Sequence, residues 1–302
     1  FASVLVGVKG WADVPLALGL PCVETDANSQ ARATISYFSS GMNGLPKQIA
    51  FTEADWQRSI EHRASFLRAL GIRAGQRVGV LVSFGPWFSG DHITDALLSL
   101  GASVFPAGIS VAHMPAVARL FEQTRVTAVV TTPSVALSLA ALGPQLRLEQ
   151  LVLVGEHLSA RVCQNLRAIC ETRPRSLFAS SEAIIGYESA SGGLFRWDPE
   201  RTFLEVRALS GTVTPSGKGE LVVTRRYGVA MPLLRYRSGD LVELHGASCG
   251  GEPHFRFLGR VGQRLGLATG VQLTGLQLNS WLDSLDVPIS RAELTVDHRS
   301  DG

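Results

Sequence analysis

The sequence predicts an α/β protein, a mostly parallel sheet flanked by helices and followed by a β-rich subdomain. Three observations carry this expectation. Strand-length runs rich in Val, Ile, Leu and Phe recur at 77–84, 103–108, 128–133, 150–155 and 176–181. Helix-length segments lie between them. From about Gly193 the chain changes to short apolar runs separated by turns such as Thr214-Pro215-Ser216-Gly217. Alternating strand and helix implies βαβ units with parallel strands covered on both faces. Closely spaced runs with turn residues imply hairpins.

The elements follow in order. Behind Thr52, the residues Trp56, Ile60, Leu67 and Leu70 fall near one helical face, and Thr52 with Asp55 has the pattern of a capping box. Further helices are expected over 94–100, 115–123, 134–142 and 159–170. The second half offers strands at 203–208, 220–224, 233–236, 241–245 and 255–258, and an amphipathic stretch at 276–285 opens a further element. The expected organisation is an α/β core over 1–192, a β-rich subdomain over 193–258, and a hinge with the start of a small C-terminal domain over 259–302. In open α/β sheets ligands sit outside the carboxyl ends of the strands, so the loops after strands are where chemistry is expected.

Composition narrows the function classes. With 45% hydrophobic and 18% charged residues in 302, the chain is globular rather than disordered. Twenty-eight basic residues face twenty-six acidic ones, and no long run of one sign occurs, so neither nucleic acid nor an anionic membrane is an expected partner. Cys22, Cys163, Cys170 and Cys249 form no CxxC pair and no zinc-spaced cluster. Apolar runs are only strand-length and the first twenty residues lack a signal pattern, so reduced thiols in a cytoplasmic protein are expected. His92, His113, His157 and His245 stand beside no nucleophile motif, which argues against hydrolase chemistry.

Five segments concentrate groups able to do chemistry. Ser39-Ser40-Gly41-Met42-Asn43-Gly44-Leu45-Pro46-Lys47 offers hydroxyls, glycines and a cation that suit phosphate oxygens. On residue chemistry alone its ordinary reading, a Ser/Gly surface turn, comes first. Val154-Gly155-Glu156-His157 follows a strand, where a glycine lets a flat ring approach the backbone. Phe178-Ala179-Ser180-Ser181-Glu182 ends another strand with an aromatic face, hydroxyls and a carboxylate suited to a hard cation. Gly219-Glu220-Leu221-Val222-Val223-Thr224 precedes Ala230-Met231-Pro232-Leu233-Leu234-Arg235-Tyr236-Arg237-Ser238-Gly239-Asp240, and Gly259-Arg260 comes last.

Taken in order, these segments resemble the adenylate-forming (AMP-binding) superfamily over about 36–285. The first is similar to the SSGTTGxPK loop, the third to the YGxSE or YGxTE motif, and the fourth to the GELV and MPLIRYRTGD signature of phenylacetate-CoA ligases. Gly155 and Glu156 correspond to the segment lining the adenine. The resemblance implies that Ser39, Ser40, Gly41, Gly44 and Lys47 hold phosphates of ATP, with Lys47 also neutralising charge in catalysis. It implies that Phe178 stacks on adenine beside Ala179 and Ser180, that Ser181 lies near the α-phosphate, and that Glu182 holds Mg²⁺. Asp240 would accept from the ribose hydroxyls, and Arg260 would reach ribose or phosphate. Trp87 and Phe88 align with the border of the acid pocket; core packing is an equal reading of both.

The implied reaction is ATP-dependent adenylation of a small aromatic or apolar carboxylic acid with release of pyrophosphate, followed by transfer to CoA. Transfer to an amine, a carrier protein or a protein side chain is a sibling reading, and a nucleotide-binding protein without catalysis is the rival. The sequence departs from the pattern at three places. Met42-Asn43 replaces Thr-Thr, Val261-Gly262-Gln263 replaces the usual acidic hinge, and the residues after Gly270 contain no lysine. A lysine-bearing small domain past Gly302, or an altered first half-reaction, is therefore expected. The segment before the phosphate loop is also shorter than the family's.

Overall fold

The computed structural model describes residues 34–39, 47–142, 146–228, 230–246, 252–261, 264–266 and 272–275, together with positions 277, 278, 281 and 285. Strands β1 (Ile35–Phe38) and β2 (Gln48–Phe51) form an antiparallel ribbon running from the Ile35 and Phe51 pair to the Phe38 and Gln48 pair. Helix α1 (Glu53–Ala69) begins with the expected capping box: Asp55 N–H donates to Thr52 Oγ1 and Thr52 N–H donates to Asp55 Oδ2. The same Asp55 oxygen accepts from Ala230 N–H at 2.9 Å, tying the helix start to a segment far along the chain.

The alternating elements follow as β3 (Arg77–Leu81), α2 (Phe88–Ser99), β4 (Ser103–Pro106), α3 (Met114–Gln123), β5 (Ala128–Thr131), α4 (Pro133–Ala140), β6 (Gln150–Val154), α5 (Ala160–Leu166) and β7 (Arg175–Ala179). These five strands are parallel in the order β4-β3-β5-β6-β7. All four residues of β5 are buried, as a strand covered on both faces requires. One face packs Val78, Val80, Val130 and Val152 against α1 and α2 residues including Leu67 and Leu97. The other packs Leu81, Val129, Leu151 and Leu153 against Phe121, Leu139 and Leu166.

The second half contains β8 (Ile184–Glu188), β9 (Phe195–Arg196), β10 (Thr202–Arg207), β11 (Val213–Thr214), β12 (Gly217–Arg225), β13 (Tyr236–His245) and β14 (His254–Arg260). They extend the same sheet. Among the described residues its order is β11-β10-β12-β13-β14-β9-β8-β7-β6-β5-β3-β4. The pairing turns antiparallel between β7 and β8, ahead of Gly193, so the change of sequence character falls inside one continuous sheet. A small ribbon, β15 (Arg264–Gly266) with β16 (Gln272–Thr274), follows.

Two sequence expectations need correction. The run at 233–236 is not a strand: Arg235 adopts φ 47° and donates its N–H to Thr224 Oγ1, so extended structure starts at Tyr236. Helix α2 starts at Phe88 rather than near Thr94: of the two aromatics aligned with a pocket loop, Trp87 is the extended N-cap and Phe88 opens the first turn. The expected element at 276–285 falls largely outside the described residues.

Candidate active site

Groups from three places in the fold meet at one point: the β1–β2 ribbon, the β7–β8 turn and the start of β13. Ser39 leaves β1 and Lys47 enters β2, and the two close on each other. Ser39 N–H donates to Lys47 O at 2.9 Å, and Lys47 N–H donates to Ser39 Oγ at 2.9 Å. The loop they bracket includes Ser40, Gly41 and Gly44, which lie outside the described residues.

From this base Lys47 reaches the β7–β8 turn. Its Nζ stands 3.4 Å from Glu182 Oε1 and donates to the Tyr236 hydroxyl at 3.1 Å. Tyr236 in turn donates to Glu182 Oε1 at 2.9 Å. Glu182 is the member most withdrawn from water, its side chain 11% exposed against 58% for Lys47. Burial alone would raise its carboxyl, but the Tyr236 hydroxyl, its own backbone N–H and the Lys47 ammonium outweigh that and hold it below the ordinary value. Glu182 is therefore an anion at neutral pH. Burial and the Glu182 charge push the Tyr236 phenol up, so it stays a donor.

The turn itself is shaped by Ser180. Its Oγ accepts from Glu182 N–H at 3.3 Å and Ala183 N–H at 3.2 Å, and its N–H donates to Ala183 O. Ala179, which closes β7, and Ser181 are half-buried beside it. Phe178 is half-buried among Phe195, Phe255 and Phe257, with ring centroids 5.1–5.5 Å away. One strand over, Gly155 has φ 79°, and a side chain there would meet only a Thr132 methyl at 4.0 Å. Its backbone is thus open to a planar ligand. The Glu156 carboxylate points elsewhere: Ser134 donates to it from N–H at 3.0 Å and from Oγ at 2.6 Å, at the first turn of α4.

On the far side, Asp240 and Arg260 face each other across β13 and β14, with Nη1 3.5 Å from Oδ1. Arg260 also donates to Ser238 O, and Asp240 N–H donates to Ser238 Oγ at 3.1 Å. Burial pushes the Asp240 carboxyl up to about 6; Arg260 opposes this, while the charges of Glu182 and Glu220 add to it. Asp240 thus lies in the field of both glutamates.

Trp87 and Phe88 part company. Phe38 N–H donates to Pro86 O, and Phe38 pairs with Trp87, which leaves Trp87 36% exposed beside the Ser39 end of β1. Phe88 is 4% exposed, stacked on Phe51 with the Arg63 guanidinium 4.9 Å from its ring centroid. Its ring is core, and Trp87 is the aromatic that faces outward. Two residues escaped the sequence reading: Tyr236, quoted only as part of a signature, and Arg225, buried at the end of β12 with Nη1 3.3 Å from Glu182 O.

The donor set suits a hard divalent cation supplied with its own phosphate. No group of three or more His, Cys, Asp or Glu able to hold a metal occurs among the described residues. Mg²⁺ fits such a site, since it keeps water and phosphate ligands and takes only one or two protein carboxylates. No helix among the described residues is long and apolar enough to cross a membrane.

No family model matches the chain. Among curated proteins, the phenylacetate-coenzyme A ligase of Thermus thermophilus is 27% identical over 275 residues, which is 85% of this chain and 61% of that protein. That of Pseudomonas putida is 26% identical over 68% of this chain and 49% of its own. The chain therefore spans 49% to 61% of the length of these relatives. Among solved structures, an open conformation of 2-hydroxyisobutyryl-CoA ligase in complex with 2-HIB-AMP and CoA matches with a TM-score of 0.73 at 19% identity, over 85% of this chain and 64% of that one. At that identity the match establishes the fold.

Proposed function

We infer that this chain, a relative of phenylacetate-CoA ligases within the adenylate-forming superfamily, binds Mg²⁺-ATP at the Lys47, Glu182 and Asp240 site and activates a carboxylic acid. The observation that carries the reading is the convergence of Lys47, Tyr236 and the anionic Glu182, brought together from positions 135 and 189 residues apart in sequence. In this reading Glu182 supplies the carboxylate for Mg²⁺, and the metal offsets charge on the phosphates. Lys47 adds a second positive charge to the same oxygens. Asp240 accepts from the ribose hydroxyls with Arg260 beside it, and the open backbone at Gly155 with the half-buried Phe178 takes the adenine.

The chemistry is an in-line displacement. A substrate carboxylate oxygen attacks the α-phosphorus, the bond to the bridging oxygen breaks, and pyrophosphate leaves with that electron pair. A thiolate then attacks the acyl carbon and AMP departs. The side chains hold and orient the phosphate chain and offset its charge, and positioning with charge stabilisation is where most of the acceleration of such transfers arises. We take the acid to be small and aromatic or apolar, with Trp87 at the mouth of its pocket. CoA is the acceptor favoured by the relatives' names, and a cytoplasmic location fits the buried free thiols Cys163 and Cys170.

ATP–pyrophosphate exchange over a panel of carboxylic acids tests this reading. Exchange with at least one acid, lost on Glu182→Gln, is the expected result. Nucleotide binding with no exchange for any acid would instead favour the non-catalytic reading that Met42-Asn43 supports.

A further inference from the structure

We propose that Arg225 is the positioning residue of the site, a buried clamp that fixes the main chain at Glu182 so that its carboxylate meets Tyr236 and Lys47. The consequence for metal binding rests on the functional reading above. The clamp itself rests on geometry alone.

Arg225 ends β12 and is 5% exposed. All three of its guanidinium nitrogens donate to carbonyls: Nη1 to Glu182 O at 3.3 Å, Nη2 to Met231 O at 2.6 Å and Nε to Tyr227 O at 3.0 Å. One planar fork thus joins the β7–β8 turn, which carries Glu182, to the connection that leads into β13, which carries Tyr236. A lysine ammonium is a single point with a different reach and cannot reproduce three bonds spread across a plane. The packing around the fork is close. Its Cζ lies 5.3 Å from the Tyr227 ring centroid, and Gly228, at φ 104°, leaves room that a side chain would take, since a Cβ there would come within 2.7 Å of Nη2.

The backbone of Arg225 continues the same link. Its N–H donates to Leu233 O at 2.9 Å, and two residues earlier Val223 is the register partner of Tyr236. Glu182 is consequently held at three places: its N–H by Ser180 Oγ, its carbonyl by Arg225, and its carboxylate by Tyr236 and Lys47. Without the carbonyl clamp the turn can rotate and the carboxylate loses its fixed direction. The neighbouring Arg226 has no part in this, since its Nη1 donates outward to Pro199 O.

The test compares Arg225→Lys, Arg225→Met and the control Arg226→Lys in the full chain, by amide hydrogen exchange without ligand and by Mg²⁺-dependent ATP binding. Both Arg225 variants are expected to lose about tenfold protection at the Glu182 and Ala183 amides while β3 and β5 stay as protected as in the wild type. Half-maximal ATP binding is expected to need about tenfold more Mg²⁺, with metal-free ATP affinity within about twofold of wild type. Arg226→Lys should match the wild type in both. Unchanged protection at Glu182 and Ala183 in Arg225→Lys and Arg225→Met would overturn the proposal, and so would an even loss of protection across the sheet, which marks a purely structural residue. A wild type that binds no ATP contradicts the functional reading, while the exchange of the Arg225 variants against wild type still decides the clamp.

Discussion

Tyr236 and Asp240 sit four residues apart on β13 and influence the site in different ways. The Tyr236 hydroxyl is the shortest contact to Glu182, so Tyr236→Phe moves the Glu182 carboxyl upward and frees it to turn. One such bond to a charged group is worth about 1.5–3 kcal/mol, so the variant is expected to need roughly ten times more Mg²⁺ for ATP binding, read from a metal titration. Asp240 works through pH. Its carboxyl is raised to about 6, so below that value it is neutral and a poorer acceptor for ribose hydroxyls. Nucleotide affinity should therefore fall as pH drops through about 6, and Asp240→Asn should flatten that dependence. Stability has the opposite sign. Because the folded carboxyl binds its proton more tightly than the unfolded one, its contribution is full below the ordinary value of 3.8 and is lost as pH rises through about 6. Parallel denaturation and binding profiles across this range check both slopes.

At the scale of elements, α1 shows what the sequence made legible. Thr52 and Asp55 carried the capping box in their types and spacing alone, and Thr52→Ala is expected to lower stability by about 1 kcal/mol in chemical denaturation. Strands β3 to β7 were equally readable, because parallel strands buried on both faces leave continuous apolar runs. The failures share a cause in tertiary contacts that leave no periodic trace. Arg235 breaks an apparent strand through a left-handed backbone bonded to Thr224. Phe88 takes the core reading that the sequence left equal with a pocket role, since its packing against Phe51 decides between two readings that residue type alone does not separate. Arg225 lies one residue past the expected strand at 220–224 and carries no motif, so its burial and its bond to the Glu182 carbonyl, 43 residues away, emerge only from the fold.

Across the whole molecule, the site lies where the sheet changes character. The parallel half ends with β7, the antiparallel half starts with β8, and Glu182 occupies the turn between them. Lys47 arrives from the β1–β2 ribbon, and Tyr236 and Asp240 from the antiparallel half. The site therefore depends on both halves packing as one sheet. Order along the sequence foreshadowed this set, but Tyr236 gained its place only from the distances. Calorimetric titration of ATP into the full chain, with and without Mg²⁺, tests the central claim most directly. Saturable binding that Mg²⁺ strengthens, with the metal effect lost in Glu182→Gln and affinity lost in Asp240→Ala, is the predicted result. Absence of ATP binding, or binding indifferent to both substitutions, would contradict it.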